Sequence, residues 1–144
     1  MNITLCHSCA LGRAGFADTL RAALKGAGIP AKVQTVDCMS GCIRPSTLAA
    51  RSAGKTAYLF GDLTEADLPD ILAFARLYLA SPDGNFADAR PLGALRLKAI
   101  ARIPGEIAAG VGNLPDLPLS TLTAGPPPPK RKEQGVPSDA KHRD

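Results

Sequence analysis

Two pairs of cysteines limit the folds open to this chain more than any other feature, because each pair directly follows a predicted β strand. The pairs form a C-x2-C motif and a C-x3-C motif: Cys6 with Cys9, and Cys38 with Cys42. Alternating apolar residues predict a strand over residues 2–5, and a second strand is expected over residues 31–36. Between them, residues 15–27 carry apolar residues at helical spacing. Neighbouring strands joined by a helix run parallel through a right-handed crossover, so all four thiols should meet at one edge of the sheet.

The rest of the predicted fold consists of a hairpin and a second helix. Residues 47–51 and 56–60 are the two predicted strands of the hairpin, joined by a tight turn. Thr64 and Asp67 form a helix start that resembles a capping box, with Asp in place of Glu. The apolar stripe of this helix is expected at Leu68, Ile71, Leu72, Ala75 and Leu79. With one short helical turn around residues 95–100, the pattern predicts an α/β fold with a four-stranded mixed sheet and two main helices.

Composition divides the 144 residues into a folded domain at 1–110 and a tail at 111–144. Seven of the thirteen prolines lie after position 110, and the tail shows no apolar periodicity. This composition predicts a disordered, proline-rich segment. The basic run at residues 130–132 is either a docking patch for an acidic partner or an ordinary solubilising run of charge.

Composition and charge exclude several classes of partner. Aromatic residues make up 4% of the chain and Trp is absent, so we expect no base-stacking surface for nucleic acid. The net charge of +4 falls short of the concentrated basic stripe of DNA-binding proteins. We expect no membrane span and no export, because the chain has no long apolar run and its first residues do not resemble a signal peptide. The expected compartment is the cytoplasm, where cysteines are more often ligands or redox groups than structural disulfides.

Four thiols at one sheet edge suit three kinds of chemistry. An iron–sulfur cluster takes four thiolates, and so does a tetrahedral zinc site. A C-x2-C motif beside a βαβ unit is also typical of thioredoxin-like dithiol proteins, although that function leaves the second pair unexplained. A domain with its own core needs no zinc to fold, which favours a functional cluster. The spacing alone does not separate a cluster from zinc.

Four neighbouring residues extend the candidate site. Gly12 and Gly41 permit tight turns and a close approach of backbone N–H groups to sulfur. Arg13 and Arg44 would offset the negative charge of four thiolates, or are ordinary surface charges.

Four further residues have weaker claims. His7 is either a ligand or a loop residue that tunes the adjacent thiols, and Asp37 either affects their protonation or forms a turn. Met39 either shields the site from water or packs ordinarily. Pro45 stands just before the third strand, where thioredoxin-like proteins often carry a proline near the active site.

Several motifs resemble a family of small bacterial predicted metal-binding proteins. Besides the cysteine motifs, they are Gly54-Lys55…Tyr58-x-Phe60-Gly61, Tyr78…Ser81-Pro82-Asp83-Gly84, Arg90-Pro91 and Arg102-Ile103-Pro104. The resemblance covers about residues 2–105, and that family is similar in layout to the thioredoxin-fold [2Fe–2S] ferredoxins.

The resemblance implies a thioredoxin-like fold and a complete ligand set for the cluster. The implied ligands are Cys6, Cys9, Cys38 and Cys42. Those ferredoxins usually separate their first two ligands by a longer loop than C-x2-C, which leaves room for a different metal. The family is often encoded beside cobalamin-synthesis and metallochaperone genes, which implies a role in cobalt insertion or corrin-ring chemistry.

We therefore predict a cytoplasmic one-electron carrier with a [2Fe–2S] cluster. It would pass electrons through its exposed cysteine edge to a redox partner, either a reductase or an acceptor enzyme, and would not itself be an enzyme. The alternatives are a zinc- or cobalt-binding module or metallochaperone, and a dithiol oxidoreductase. Thioredoxin-fold ferredoxins can pair, so a homodimer stays open, although no predicted strand requires one. No nucleic-acid or membrane partner is expected.

Overall fold

The computed structural model describes residues 1–105. Its elements in chain order are β1 (Asn2–Cys6), α1 (Ala10–Arg13), α2 (Phe16–Gly26), β2 (Lys32–Val36), β3 (Leu48–Arg51), β4 (Ala57–Phe60), a 3-10 turn (Glu65–Asp67), α3 (Leu68–Ala80), a 3-10 segment (Arg90–Lys98) and β5 (Ala99–Ile103). The predicted tail at 111–144 and the predicted boundary at residue 110 lie outside the described residues.

One mixed sheet organises the fold, with strand order β2-β1-β3-β4-β5. β1 pairs parallel with β2. Antiparallel pairing joins β1 to β3, β3 to β4 and β4 to β5. The predicted α/β class with a mixed sheet is confirmed, but the predicted number of strands is wrong, because the sheet has five strands rather than four.

The helical turn expected around residues 95–100 is present as 3-10 structure as far as Lys98, and an unpredicted fifth strand follows it. The 3-10 segment ends at Lys98, and β5 begins at Ala99. β5 pairs with β4, and this register places Arg102 opposite Tyr58. Most residues of β5 are exposed, so no alternation of buried and exposed positions marks it in the sequence. The strand forms because β4 offers a free edge, not because its own pattern demands one.

Helix α2 covers the end of the sheet that carries β1 and β2. Its inward residues Phe16, Leu20 and Leu24 are at most 2% exposed, and the helix packs against β2. Gly15 precedes it with a φ of +81°, a conformation that favours glycine. The predicted helix over 15–27 is confirmed to within one residue at each end.

The predicted capping box is present at the 3-10 turn that leads into helix α3, where the Thr64 N–H donates to Asp67 Oδ2 at 2.7 Å. The face that packs on the sheet consists of Ile71, Phe74, Ala75 and Tyr78. Only two residues of the predicted stripe belong to this face, because the helix instead buries two aromatic rings of larger apolar area. Among residues 1–105, no helix is long and apolar enough to cross a membrane.

Candidate functional site

The two cysteine loops begin side by side at one edge of the sheet. β1 ends at Cys6 and β2 ends at Val36, and the parallel register places these residues opposite each other. The pairing continues past the strands, since the His7 N–H donates to the Val36 carbonyl at 2.7 Å and the Ser8 N–H donates to the Asp37 carbonyl at 3.1 Å. The predicted parallel pairing, and the predicted meeting of both loops at one edge, are therefore confirmed.

The first cysteine pair lies against the folded core. Cys6 is 3% exposed and Cys9 is half-buried. The Cys9 thiol donates to the Cys6 sulfur across 3.3 Å, and the Cys6 thiol donates to the Asp37 carbonyl oxygen at 3.4 Å. Two sulfurs in contact across a two-residue spacing can bind the same metal ion.

The surroundings of Cys6 favour its thiolate form. Burial alone raises the pKa of the Cys6 thiol, but hydrogen bonds from the Cys9 side chain and from the backbone of Cys9, Met39 and Ser8 lower it overall. Donors directed at sulfur stabilise the thiolate, which is the form that binds metal. Met39 directly follows Cys38, so the second loop also reaches Cys6.

The second cysteine pair faces solvent. Cys38 and Cys42 are both exposed, and the Ser40 N–H donates to Cys38 Sγ at 3.2 Å. A hydrogen bond to the Cys38 side chain and the negative charge of Cys38 raise the pKa of the Cys42 thiol, with smaller contributions from burial and from the charges of Cys9 and Cys6. All four thiols therefore lie within electrostatic range of one another.

The four sulfurs form two pairs and do not form one cluster. Within residues 1–105, no group of three or more His, Cys, Asp or Glu side chains is placed to hold a metal ion. The structure thus brings both predicted pairs to one edge, while the four-ligand set stays a prediction. Because Cys38 and Cys42 are exposed and Cys6 is buried, the second loop is the part that would have to move to gather all four sulfurs.

Gly12 allows helix α1 to pack directly on the first loop. A Cβ atom at this position would lie 2.1 Å from the Cys6 carbonyl oxygen and 2.8 Å from His7 Cα. Helix α1 follows Cys9, whose carbonyl accepts a hydrogen bond from the Arg13 N–H at 3.0 Å. The sequence predicts that Gly12 lets backbone N–H groups approach sulfur. In the structure, Gly12 instead packs against the backbone of Cys6 and His7. This contact fixes Cys9 relative to Cys6.

Arg44 ties the second loop to the opposite end of the sheet. Its Nε donates to Asp62 Oδ2 at 2.6 Å, and its terminal nitrogens donate to the carbonyls of Leu97 at 3.2 Å and Ala99 at 3.4 Å. These contacts make Arg44 a structural clamp, whereas Arg13 is exposed on the surface. Sequence reasoning missed the clamp because its partners are distant along the chain and belong to no motif.

Two residues just before β3, Ser46 and Thr47, complete the wall of the site and were not predicted. The Cys6 N–H donates to the Thr47 carbonyl at 3.1 Å, and Ser46 Oγ accepts from the Leu11 N–H at 3.4 Å. A Cβ atom on Gly41 would lie 2.5 Å from the Thr47 methyl group. Thr47 is 1% exposed, and its hydroxyl has no hydrogen-bond partner within the described part of the chain. In the sequence, only the presence of two neighbouring polar residues at the start of a predicted strand could have pointed to their role at the site.

The four weaker candidates lie around the site in different ways. His7 is exposed and Met39 is half-buried. Asp37 contributes through its backbone carbonyl, which accepts the hydrogen bond from the Cys6 thiol. The Pro45 carbonyl accepts a hydrogen bond from the Asp62 N–H at 2.7 Å, so this residue anchors the second loop.

An apolar surface lies beside the exposed cysteine pair. Ile43, which follows Cys42, is 99% exposed. It borders a shallow pocket of about 250 Å³ whose other lining residues are Ser40, Gly41, Arg44 and Ile100. A fully exposed isoleucine beside the candidate ligands is available for contact with another molecule.

Comparison with known proteins gives a family without an assigned activity. A family model described as a protein of unknown function (DUF1636) matches residues 3–105. No curated protein matches the chain, and no solved structure matches it.

Proposed function

The chain belongs to the DUF1636 family, and we propose that it is a one-electron carrier with a [2Fe–2S] cluster held by Cys6, Cys9, Cys38 and Cys42. The observation that carries this proposal is the parallel pairing of β1 with β2, which delivers both cysteine pairs to the same edge. Four thiolates are the usual ligands of such clusters.

The arrangement of the thiols in two pairs supports a two-iron cluster over a single ion. A [2Fe–2S] cluster takes two protein ligands on each iron. A mononuclear zinc site instead needs all four sulfurs around one point. Cys6 and Cys9 are already in contact at 3.3 Å, and the residue after Cys38 reaches the Cys6 sulfur. The four thiols therefore suit a two-iron cluster.

The order of elements supports a thioredoxin-like core. The chain runs β1-α2-β2 and then β3-β4-α3 around one mixed sheet. On this proposal, β5 is an additional edge strand, and the cysteine loops occupy the edge where thioredoxin-like proteins carry their C-x-x-C motif.

The burial of the ligands suggests how the carrier would work. The cluster, when bound, supplies reversible one-electron chemistry. Cys6 is buried and Cys9 half-buried, so this pair anchors the site to the core, whereas Cys38 and Cys42 are exposed. A redox partner, either a reductase or an acceptor enzyme, would approach from the exposed side and contact Ile43.

The proposed setting is the cytoplasm, in cobalamin or other metal-cofactor metabolism. It is supported by the resemblance to small metal-binding proteins encoded near cobalamin-synthesis genes.

A zinc- or cobalt-binding module is the second candidate. The contact between Cys6 and Cys9 at 3.3 Å suits this function as well, because a C-x2-C pair in contact can chelate one metal ion, whether or not that ion belongs to a cluster. The same contact would let a dithiol oxidoreductase form a disulfide between these two residues, with no use for the second pair.

The deciding experiment measures iron, acid-labile sulfide, zinc and cobalt per chain after anaerobic purification, with a visible spectrum of the same sample. We expect two irons and two sulfides with a brown chromophore. One zinc or cobalt without sulfide would replace this proposal with the metal-binding module. A metal-free chain that also fails to accept a reconstituted cluster would leave the dithiol function.

A matched pair of variants tests the ligand set. Cys42→Ala should lose the chromophore, and Met39→Leu, which changes the same loop without removing a thiol, should keep it. A Cys42→Ala protein with full colour and full redox activity would contradict the four-cysteine cluster. Rapid alkylation of Cys6, together with full activity after loss of Cys42, would favour the dithiol function.

A further inference from the structure

A second candidate binding site lies away from the cysteines, between β4, β5 and the 3-10 segment before β5. It is a pocket of about 170 Å³, and its main lining residues are Tyr58, Phe60, Phe86, Leu92, Arg96 and Arg102. None of these residues holds the proposed cluster, although the Ala99 backbone at the pocket wall accepts a hydrogen bond from Arg44 of the second cysteine loop.

The walls of this pocket are rigid and apolar. Phe60 is 1% exposed, Leu92 is 4% exposed and Tyr58 is 8% exposed. The Tyr58 and Phe86 rings stack with centroids 5.7 Å apart. The Tyr58 hydroxyl donates to the Gly84 carbonyl at 2.8 Å, so this ring is also held in place.

The size of the pocket suits one ring. An engineered apolar cavity of about 150 Å³ is large enough to bind benzene, and this pocket is slightly larger at about 170 Å³. Pockets for drug-sized ligands usually span about 300–1,000 Å³, so this pocket suits a smaller ligand.

Positive charge at the rim selects the sign of the ligand. Arg96 and Arg102 are exposed, and within residues 1–105 neither belongs to an ion pair. Arg102 has neutral partners, the side-chain oxygen of Asn85 and the Tyr58 hydroxyl. Arg96 acts on Asp88 by its charge alone, and the Asp88 carboxylate is already paired with Arg90 at 2.9 Å. Two guanidinium groups beside an apolar pocket match a carboxylate, which Arg binds in a bidentate manner.

We propose that this pocket binds a small aromatic monocarboxylate, with its ring among the aromatic side chains and its carboxylate at Arg96 and Arg102. The ring buries apolar area against Tyr58, Phe60 and Phe86, and the carboxylate pairs with the two guanidinium groups, neither of which belongs to an ion pair among residues 1–105. A ring alone would leave the two arginines at the rim without an anionic partner, and a carboxylate alone would leave the apolar walls uncovered.

Benzoate is the probe, titrated into the full-length protein and followed by amide and aromatic NMR shifts. Benzamide, which has the same shape without the charge, is the matched control ligand. We expect benzoate to shift the signals of the pocket residues and to bind about tenfold more tightly than benzamide, as a charge-assisted contact predicts.

Four variants complete the test. Arg102→Gln and Arg96→Gln should each weaken benzoate binding, by no more than the factor of about ten that separates benzoate from benzamide, whereas Arg76→Gln, an exposed arginine on α3, should leave it unchanged. Ala89→Phe, a substitution at the pocket wall, should block binding while both arginines remain. The proposal is overturned if benzamide binds as well as benzoate, if the two rim variants bind like the unchanged protein, or if benzoate does not shift the pocket signals.

Discussion

Replacing Gly12 with alanine should destabilise the protein and disturb the cysteine site together. The new Cβ would lie 2.1 Å from the Cys6 carbonyl oxygen and 2.9 Å from the His7 carbonyl oxygen, far inside van der Waals contact. Both atoms belong to the backbone, so no side-chain rotation relieves the clash. Overpacking costs about 1–3 kcal/mol, and a contact this short belongs at the upper end. Alanine regains about 1 kcal/mol over glycine in a helix, which leaves a net loss of about 2 kcal/mol.

Gly26→Ala is the matched control, because it makes the same chemical change at the end of α2. No atom lies within 4 Å of the Cβ position there, and its φ is not in the left-handed region. Alanine should therefore stabilise the protein at this position by about 0.5–1 kcal/mol. The two variants should differ in sign, and their free energies of unfolding should differ by about 3 kcal/mol.

Urea unfolding of the metal-free protein measures this difference. With a slope of about 2 kcal/mol per molar urea, the two midpoints should lie about 1.5 M apart, with Gly12→Ala the lower. Because α1 follows Cys9 directly, Gly12→Ala should also lower the metal or cluster content, and Gly26→Ala should not. If the two variants unfold within about 0.5 kcal/mol of each other, the close approach of α1 to the first loop is not what makes glycine necessary.

Three other predictions concern the framework of the site. Asp67→Asn should cost about 3 kcal/mol, because Asp67 is 4% exposed and its carboxylate pairs with Lys98 at 2.6 Å. Although burial raises the pKa of Asp67, hydrogen bonds with Lys98 and the cap lower it overall. The stabilisation of the folded state by ionised Asp67 is therefore complete above the unfolded pKa near pH 4 and is lost as the pH falls through the lower folded pKa. The free energy of unfolding should therefore fall less steeply with acid in Asp67→Asn than in the unchanged protein. Tyr78→Phe should cost about 1–2 kcal/mol in chemical denaturation, since the buried hydroxyl donates to a backbone carbonyl at 2.9 Å. Arg44→Gln should cost less than about 1 kcal/mol yet raise the alkylation rate of the second cysteine pair, whereas Arg90→Gln, which breaks another exposed ion pair, should leave that rate unchanged.

The sequence predicts the first half of the fold well because its patterns are local. Residues 15–27 show helical periodicity on one face, and this segment is α2 in the structure. The strands before each cysteine pair follow from alternation and from the position of the motif itself, and the helix between them dictates parallel pairing. The capping box at Thr64 and Asp67 is equally local and is present.

The prediction fails where distant contacts decide the structure. Nothing within residues 99–103 marks an edge strand, because its partner β4 lies about forty residues earlier in the chain. The inward face of α3 was predicted only in part for a related reason. The predicted residues are buried or packed against the core, but the stripe left out Phe74 and Tyr78, whose rings pack against Tyr58 on β4.

The missed strand and the open question of the ligand set have the same origin. The second cysteine loop contacts the β4–β5 end of the sheet, where the Ile100 side chain lies 2.5 Å from the position of a Cβ on Gly61 and 3.8 Å from that of a Cβ on Gly41. Arg44 adds hydrogen bonds to the backbone on both sides of Lys98. Local patterns therefore predict where each loop leaves the sheet, but the contacts that hold the second loop come from β5, which they do not predict. The first cysteine pair lies against the core, whereas the loop of the second pair is held by an exposed edge strand. If the proposed cluster needs the second pair to move towards the first, the contacts of Arg44 and Ile100 are the ones that restrain this movement.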